Sequence, residues 1–471
     1  MDGSARRETE EPGAERILKP LPLEKIARMT RGTLVEGEPS GLVRSVSTDT
    51  RTVGEGALFV ALVGDRFDAH DFLDNAVSSG AVALLVSEKP GGGYPAEVAV
   101  IEVADTLLAL QDLAREYRRL LGVKGVAVTG SSGKTSTKDM IAAVLGQRYQ
   151  VRATRGNFNN HIGLPLTLLE MEEGDEIGVW EMGMNHPGEI GTLAAIAEPD
   201  VAVVTNIGSA HLEFMGSQEA IAKEKGSLAA AISKEGRVVL NADDPFTPSI
   251  ADRCVAPVTT AGIGGGDVQA SGIVPGAEST TFGLAAGGEA ALVTLPVPGR
   301  HMVRNATLAA TTGLHFELEI REIAAGLAAL DLTSGRLQTL RKEGVQFLDD
   351  SYNANPESMR AALETLRDYP CSGRRFAVLG KMAELGERAE AEHRALGIAF
   401  ADKRVDVLAT VGSEARVIAE AAPGDVRAEH FETPGEAAAF LASEVADQDV
   451  VLVKGSRSAA MEKVIEEFAR S

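Results

Sequence analysis

Cysteine is nearly absent from this 471-residue chain: Cys254 and Cys371 are the only two, far apart in sequence. Their separation fits neither a disulfide framework nor a metal-ligand spacing, and a reducing cytoplasm is the expected compartment. Positive charge is scarce as well, with 46 Lys and Arg against 68 Asp and Glu and a net charge of −22. Nucleic-acid phosphates would be repelled by such a surface, and the simpler use of the surplus is solubility. An anionic small substrate would need Lys and Arg gathered locally. Aromatic residues make up 4%, with Trp180 the single tryptophan. No apolar run reaches the roughly 18 residues of a membrane span. Residues 1–20 carry Arg6, Arg7, Glu8, Glu10, Glu11 and Glu15 without an apolar core. They read as a disordered extension, neither signal peptide nor anchor.

What the chain does have is apolar content of 44% and 50 glycines, enough for packed cores and many tight turns. Its length calls for more than one domain. The organising stretch is Val126-Ala127-Val128-Thr129-Gly130-Ser131-Ser132-Gly133-Lys134-Thr135-Ser136. The apolar run Val123 to Val128 reads as a buried parallel strand. A helix follows from near Lys134, with Met140, Ile141, Val144 and Leu145 as its apolar face. Strand, Gly-rich turn and helix N-terminus together make an anion cradle. Backbone N–H groups should point inward, the helix dipole adds partial positive charge, and Lys134 supplies a full one. Thr135 offers a hydroxyl where a phosphate-bound Mg²⁺ needs a ligand. The general phosphate-loop spacing asks for Gly at 128, where this chain has Val128.

Residues 21–105 form a first α/β block, with a helix around Leu23 to Met29, a strand Gly56 to Leu62, a helix 72–79 and a strand Val82 to Val86. A boundary falls near 105, before the amphipathic helix Leu107 to Leu121. The block 106–332 repeats strands and helices. Its runs Ile177 to Glu181, Val201 to Thr205 and Val238 to Leu240 end in the polar residues Glu181, Asn206 and Asn241. In a parallel sheet those carboxyl ends share one edge, where ligands bind. From about 262 to 298 the pattern becomes Gly-rich short strands, expected as an antiparallel flap or edge. A third block, 333–471, alternates strands Phe347–Asp350, Phe376–Gly380, Val405–Val411 and Val450–Val453 with helices, a second nucleotide-fold-like unit. The expected fold is therefore α/β in three domains: a small N-terminal domain, a central phosphate-loop mononucleotide-binding domain with a parallel sheet, and a C-terminal Rossmann-like domain.

A phosphate loop alone does not separate kinase, GTPase, ATPase motor and ligase. Glu181 could hold Mg²⁺ as a hard carboxylate ligand or could cap a helix. His211 could ligate a metal, orient a reacting group or be a surface histidine. Lys223 and Lys225 could be counter-charges to phosphate or part of a solvated helix face. Ser47 to Arg51 could be a capped turn, and His70 could satisfy a local carbonyl.

Together, Thr129-Gly130 to Thr135, Glu181-Met182-Gly183, Ala210-His211-Leu212-Glu213 and the Lys223-Glu224-Lys225 segment resemble the central domain of the Mur ligases. These are cytoplasmic peptidoglycan-precursor enzymes, similar in turn to folylpolyglutamate synthetase. That family uses the shorter T-G-x-x-G-K-[ST] loop, so Val128 fits it. Asp349-Asp350-Ser351-Tyr352-Asn353-Ala354-Asn355-Pro356-Glu357-Ser358-Met359 resembles the signature of the family's dipeptide-adding branch. Thr154 to Pro165, Leu379 to Gly386 and Leu452 to Arg457 agree with it, as do Thr48-Asp49-Thr50-Arg51 and Phe67 to Phe72. The resemblance runs from about residue 21 to the end.

The resemblance implies an ATP-dependent amide ligase that joins UDP-N-acetylmuramoyl-tripeptide to D-Ala-D-Ala through an acyl phosphate, with two Mg²⁺ ions. It implies that Gly130, Ser131, Ser132, Gly133, Lys134, Thr135 and Ser136 cradle the phosphates, and that Thr135 and Glu181 hold the first Mg²⁺. His211 would help hold the second, together with Lys225 carbamylated by CO₂. The family's A-K-x-E-I continuation is here Lys225-Gly226-Ser227-Leu228, which leaves Lys223 as the alternative. Asn305 resembles the adenine-side segment, Arg336 the arginine that reaches ATP phosphate, and Asp350 and Tyr352 would lie near ribose and adenine. Thr48, Asp49, Arg51, Asp68, His70, Asn157, Asn159 and Asn160 are expected toward the UDP substrate. Asn353, Asn355, Lys454 and Arg457 are expected toward the acceptor, with a structural salt bridge as the other role for the last two. A monomer, no nucleic acid and no membrane insertion complete the expectation.

Overall fold

The computed structural model of the protein describes residues 18–64, 66–87, 98–402 and 404–468. The extension expected over residues 1–20 lies, through residue 17, outside the described residues. The described chain clusters into two compact units: residues up to 124 with 157–178 and 195–198, and the remainder from 125 onward.

In the first unit a five-stranded sheet runs in the order Thr33–Glu36, Ala99–Glu102, Ala81–Val86, Ala57–Val60, Ser45–Ser47. The first pair is antiparallel and the other three are parallel. Phe59, Leu84, Val86 and Val100 pack on Leu73 and Ala76 of helix Leu73–Ser78. Helix Thr106–Leu121 begins where the Asp105 carboxylate accepts from Leu108 N at 2.9 Å and ends at left-handed Gly122. Its apolar stripe Leu110, Leu113, Ala114 and Tyr117 is buried, as 3.6-residue periodicity requires.

The second unit holds two sheets. In the nine-stranded sheet, Lys124–Thr129 lies between Ile177–Glu181 and Val201–Val204, followed outward by Arg237–Asn241 and Val258–Gly262. The pairing of Val204 with both Thr129 and Leu240 in parallel register brings these strand ends level. Thr129, Glu181, Asn206 and Asn241 therefore collect at one edge. Beyond Val258–Gly262 the strands Val268–Pro275, Thr280–Ala286 and Glu289–Leu295 form the antiparallel edge expected from the Gly-rich region. The six-stranded sheet is parallel except for its edge strand Gln338–Lys342, in the order Gln338–Lys342, Val345–Asp350, Val450–Lys454, Arg375–Leu379, Val407–Val411, Arg427–Phe431. Phe347, Phe376, Val378, Val451 and Val453 form one side of its core, with Leu441 and Val464 from the covering helices and Met461 from the turn before the last one. Here the strands read as continuous apolar runs because both faces are covered.

The nine-stranded sheet is likewise covered on both faces at Trp180. Alternation along a strand puts Trp180 and Glu181 on opposite faces, yet both are buried, at 0% and 3% exposure. We expect Trp180 fluorescence to be blue-shifted and to change little on addition of Mg-ATP. Strong static quenching by the nucleotide would show the indole face open to the site.

Candidate active site

The strand Lys124–Thr129 stops at Gly130, and helix Lys134–Leu145 starts after Gly133. Both glycines have positive φ, +155° and +74°. A Cβ on Gly130 would sit 1.8 Å from Thr205 Oγ1, and one on Gly133 would sit 2.9 Å from the Asn305 amide. The loop can therefore be this tight only with glycine at both places. Thr205 Oγ1 donates to the Ser132 carbonyl at 2.6 Å, and Gly208 N donates to Ser131 Oγ at 2.8 Å.

One expectation needs correction here. Not all of the loop N–H groups face an empty cradle, because Ser131 N donates to the Asn206 carbonyl at 3.0 Å and Ser132 N to Asn206 Oδ1 at 2.9 Å. Asn206 Nδ2 in turn donates to Ser132 Oγ at 2.6 Å. The N–H groups open to an anion are those at the helix start, which have no partner within the helix. Lys134 is also not the exposed side chain that a helix start suggests. It is half-buried, and its Nζ donates to the Gly130 carbonyl at 2.9 Å. Burial lowers its pKa, with Glu181 pulling the other way.

Thr135 and Glu181 meet: Thr135 Oγ1 donates to Glu181 Oε2 at 2.7 Å in a buried contact. Arg336 Nη2 donates to the same hydroxyl at 3.1 Å, and its guanidinium lies 4.1 Å from the Tyr352 ring centroid. Ser136 is buried in the first helical turn. Asn305, on helix Arg300–His315, packs its amide against Gly133.

His211 has a left-handed backbone, φ +64°, and its Nδ1 lies 2.5 Å from Glu384 Oε2. The approach lacks hydrogen-bond alignment. Burial lowers the imidazole pKa against the opposing pull of Glu384, whose own carboxyl the ring holds low. On helix Gln218–Ala230, Lys225 is fully buried and Lys223 is exposed. The Lys225 amine has no hydrogen-bond partner among the described residues. Burial and, next, the Lys134 charge drive its pKa well below the ordinary lysine value.

The segment 349–359 splits its duties. Asp350 Oδ2 accepts from Lys454 Nζ at 2.6 Å, and the Asn353 carbonyl accepts from the same ammonium at 2.8 Å. Lys454 is thus consumed by a buried ion pair, the structural role weighed against substrate binding, and Arg457 pairs with Glu462 at 2.9 Å. Asn353 is exposed, and its Oδ1 accepts from Ala354 N at 2.9 Å. Asn355 caps helix Pro356–Asp368 by accepting from Ser358 N at 2.8 Å. Its Nδ2 donates 3.2 Å to the Ser131 carbonyl of the phosphate loop.

The residues expected toward the UDP substrate lie in the first unit. Asp49 accepts from Arg51 N at 3.0 Å and Nε at 2.9 Å, which holds its carboxyl low, so this pair closes a turn. Thr48 is half-buried beside it. Asp68 Oδ1 accepts from His70 N at 2.9 Å and stands 2.6 Å from His70 Nδ1. His70 Nε2 accepts from Ser87 N at 3.0 Å, which assigns the ring proton to Nδ1. Asn160 Oδ1 accepts from Gly163 N at 2.8 Å at the start of helix Gly163–Leu169, and the Asn157 carbonyl accepts from Asn159 N at 2.7 Å. Sequence reasoning missed three partners: Asn206 on the loop, Glu384 on His211, and Glu357. The Glu357 Oε1 accepts from Ser209 N at 3.0 Å and Oγ at 2.9 Å. Asn206 was visible only as a polar strand end, and the two glutamates only as members of longer segments.

Among the described residues no three His, Cys, Asp or Glu side chains gather as a metal cage. The Thr135–Glu181 pair nevertheless fits a Mg²⁺ that takes one or two protein oxygens and completes its shell with phosphate and water. No described helix is long and apolar enough to cross a membrane.

Three family models match the chain: the Mur ligase family catalytic domain at residues 42–118, the Mur ligase middle domain at 128–313, and the Mur ligase glutamate ligase domain at 335–457. UDP-N-acetylmuramoyl-tripeptide–D-alanyl-D-alanine ligase of Bacillus subtilis is 37% identical, covering 95% of this chain and 98% of that protein. The Escherichia coli protein of the same name is 40% identical, covering 92% and 96%. The crystal structure of MurF from Acinetobacter baumannii matches with a TM-score of 0.90 at 34% identity, covering 96% of this chain and 100% of that one. MurF ligase from Thermotoga maritima in complex with ADP matches at 0.82 and 33% identity, over 90% and 97%. With relatives this similar along nearly its whole length, the chain belongs to the Mur ligase family.

Proposed function

We propose that this protein is the cytoplasmic ATP-dependent ligase that adds D-Ala-D-Ala to UDP-N-acetylmuramoyl-tripeptide, releasing ADP and phosphate. The observation that carries the proposal is where the dipeptide-branch segment sits: Asn355 bonds directly to the phosphate-loop carbonyl of Ser131. The segment that distinguishes this branch is thereby set against the ATP-side machinery that all branches share.

In the reaction, ATP transfers its terminal phosphoryl group to the tripeptide carboxylate. The free amine of D-Ala-D-Ala attacks the resulting acyl phosphate, and phosphate leaves from the tetrahedral intermediate. Most of this is positioning and charge neutralisation. The N–H groups at the start of helix Lys134–Leu145 would hold phosphate oxygens, with Lys134 turning its ammonium from the Gly130 carbonyl toward them. Arg336, already on Thr135, adds a cation on the same side. Thr135 and Glu181 would hold a bound Mg²⁺, whose chemistry is to neutralise phosphate charge; His211 and Lys225 would serve a second one.

For Lys225 the supporting observation is chemical. Only a neutral amine adds CO₂, becoming a carbamate with loss of one proton, and burial favours the neutral form. Because burial lowers the folded pKa, the neutral fraction at a given pH exceeds that of an ordinary lysine, and it shrinks as the pH falls through the folded pKa. Lys223, by contrast, is exposed. With ¹³CO₂, a carbamate resonance should appear in the wild-type protein and in Lys223→Ala but not in Lys225→Ala, and it should fade on acidification. A signal lost only in Lys223→Ala would shift the assignment by two residues.

Acceptor choice tests the function as a whole. A site built to bond the extra amide of a dipeptide leaves polar groups unpaired with a single amino acid, and discrimination of about 10⁴-fold becomes reachable. With Mg-ATP and UDP-N-acetylmuramoyl-tripeptide, phosphate release is expected with D-Ala-D-Ala and negligibly with D-Ala, L-Ala or D-Glu. Comparable release with a single amino acid would place the chain at another step. Steady release with neither organic substrate would instead favour a nucleotide-driven conformational machine.

A further inference from the structure

The loop after strand Val201–Val204 is gripped from two sides. On one side Thr205, Asn206 and Gly208 are bonded to Ser131 and Ser132 of the phosphate loop. On the other, Ser209 gives both its backbone N–H and its hydroxyl to Glu357, in the first turn of helix Pro356–Asp368. Two residues further along the same loop stands His211. The side chain of Glu357 could have stayed in solvent as an ordinary first-turn acid beside a helix N-terminus. Instead it is aimed at a buried serine, which is 6% exposed.

Gly208 leaves the room for this. A Cβ there would lie 2.7 Å from Glu357 Cδ and 2.8 Å from Oε2, and its three nearest neighbours are all atoms of Glu357. The Gly208 backbone is outside the left-handed region, so alanine costs nothing in φ. What glycine provides is the seat for one carboxylate.

We infer that Glu357 is a positioning residue, a latch that seats the segment carrying Asn353 and Asn355 on the phosphate loop and so delivers the acceptor amine to the acyl phosphate. The inference rests on the ligase reading above. When the latch is broken, ATP and the tripeptide still form acyl phosphate, but the amine is poorly placed. Water then takes its turn, giving back the carboxylate and releasing phosphate without an amide.

Glu357→Ala, Gly208→Ala and the double variant test this. Glu357→Ala should lower kcat/KM for D-Ala-D-Ala about 10- to 100-fold, the range of a lost charge-assisted contact. Its KM for ATP should stay within about threefold of wild type, and phosphate released per amide formed should rise above one. Gly208→Ala, which removes no polar group, should show the same pattern more weakly, and Glu357→Gln should recover part of the coupling. The double variant should be no worse than Glu357→Ala alone, because both changes break one contact. Unchanged coupling in Glu357→Ala, or effects that simply add, would overturn the latch. Thermal unfolding of wild type, Glu357→Ala, Gly208→Ala and the double variant needs no substrate, so it separates the two questions: ligation absent even from wild type would count against the ligase reading. In that case midpoints lowered non-additively would still support the contact, and additive or unchanged midpoints would overturn it.

Discussion

Lys134, Lys225 and Arg336 gather three basic side chains at the carboxyl edge of the nine-stranded sheet, in a chain whose net charge is −22. Two of the three are lysines whose pKa burial depresses, and the Lys134 charge further depresses Lys225. Taking ammonium groups out of water is unfavourable unless an anion compensates. Glu181 supplies part of that compensation. Glu384 offsets the Lys134 charge as well, and a bound polyphosphate would add to that compensation. The parallel register of Thr129, Val204 and Leu240 brings the strand ends that border this site to one level.

Side chains from segments beside the six-stranded sheet reach the same site. Arg336 reaches Thr135, Asn355 reaches Ser131, Glu357 reaches Ser209 and Glu384 reaches His211. Four contacts from three segments of the C-terminal sequence converge on the phosphate loop with its helix start and on the loop after strand Val201–Val204. A nucleotide bound to those loops would lie against side chains of the C-terminal sequence, which suits a reaction whose intermediate hydrolyses if the second substrate is late.

Much of this was legible in the sequence. Long apolar runs bounded by glycine identified the strands of both parallel sheets, and the strand–turn–helix around Gly130 to Lys134 located the phosphate loop. Thr135 and Glu181, 46 residues apart, were paired by resemblance and lie 2.7 Å apart. The edge strands Thr33–Glu36 and Gln338–Lys342 were harder, since half-exposed polar strands carry little periodicity. Lys454 had the charge to meet a substrate, and only its burial against Asp350 reveals the ion pair. Asn206 occupies loop N–H groups that motif geometry alone would leave for phosphate. Glu357 and Glu384 escaped notice because an acid in a helix turn or a loop is ordinary until its partner, well over a hundred residues away, is known.

The central claim is that ATP bound at the phosphate loop activates a carboxylate as an acyl phosphate. Position-specific oxygen labelling tests it most directly. With ¹⁸O in both oxygens of the terminal carboxylate of UDP-N-acetylmuramoyl-tripeptide, one turnover with Mg-ATP and D-Ala-D-Ala should place one ¹⁸O in the released inorganic phosphate and keep the other in the new amide. Label recovered in AMP, or phosphate released wholly unlabelled, would contradict the account.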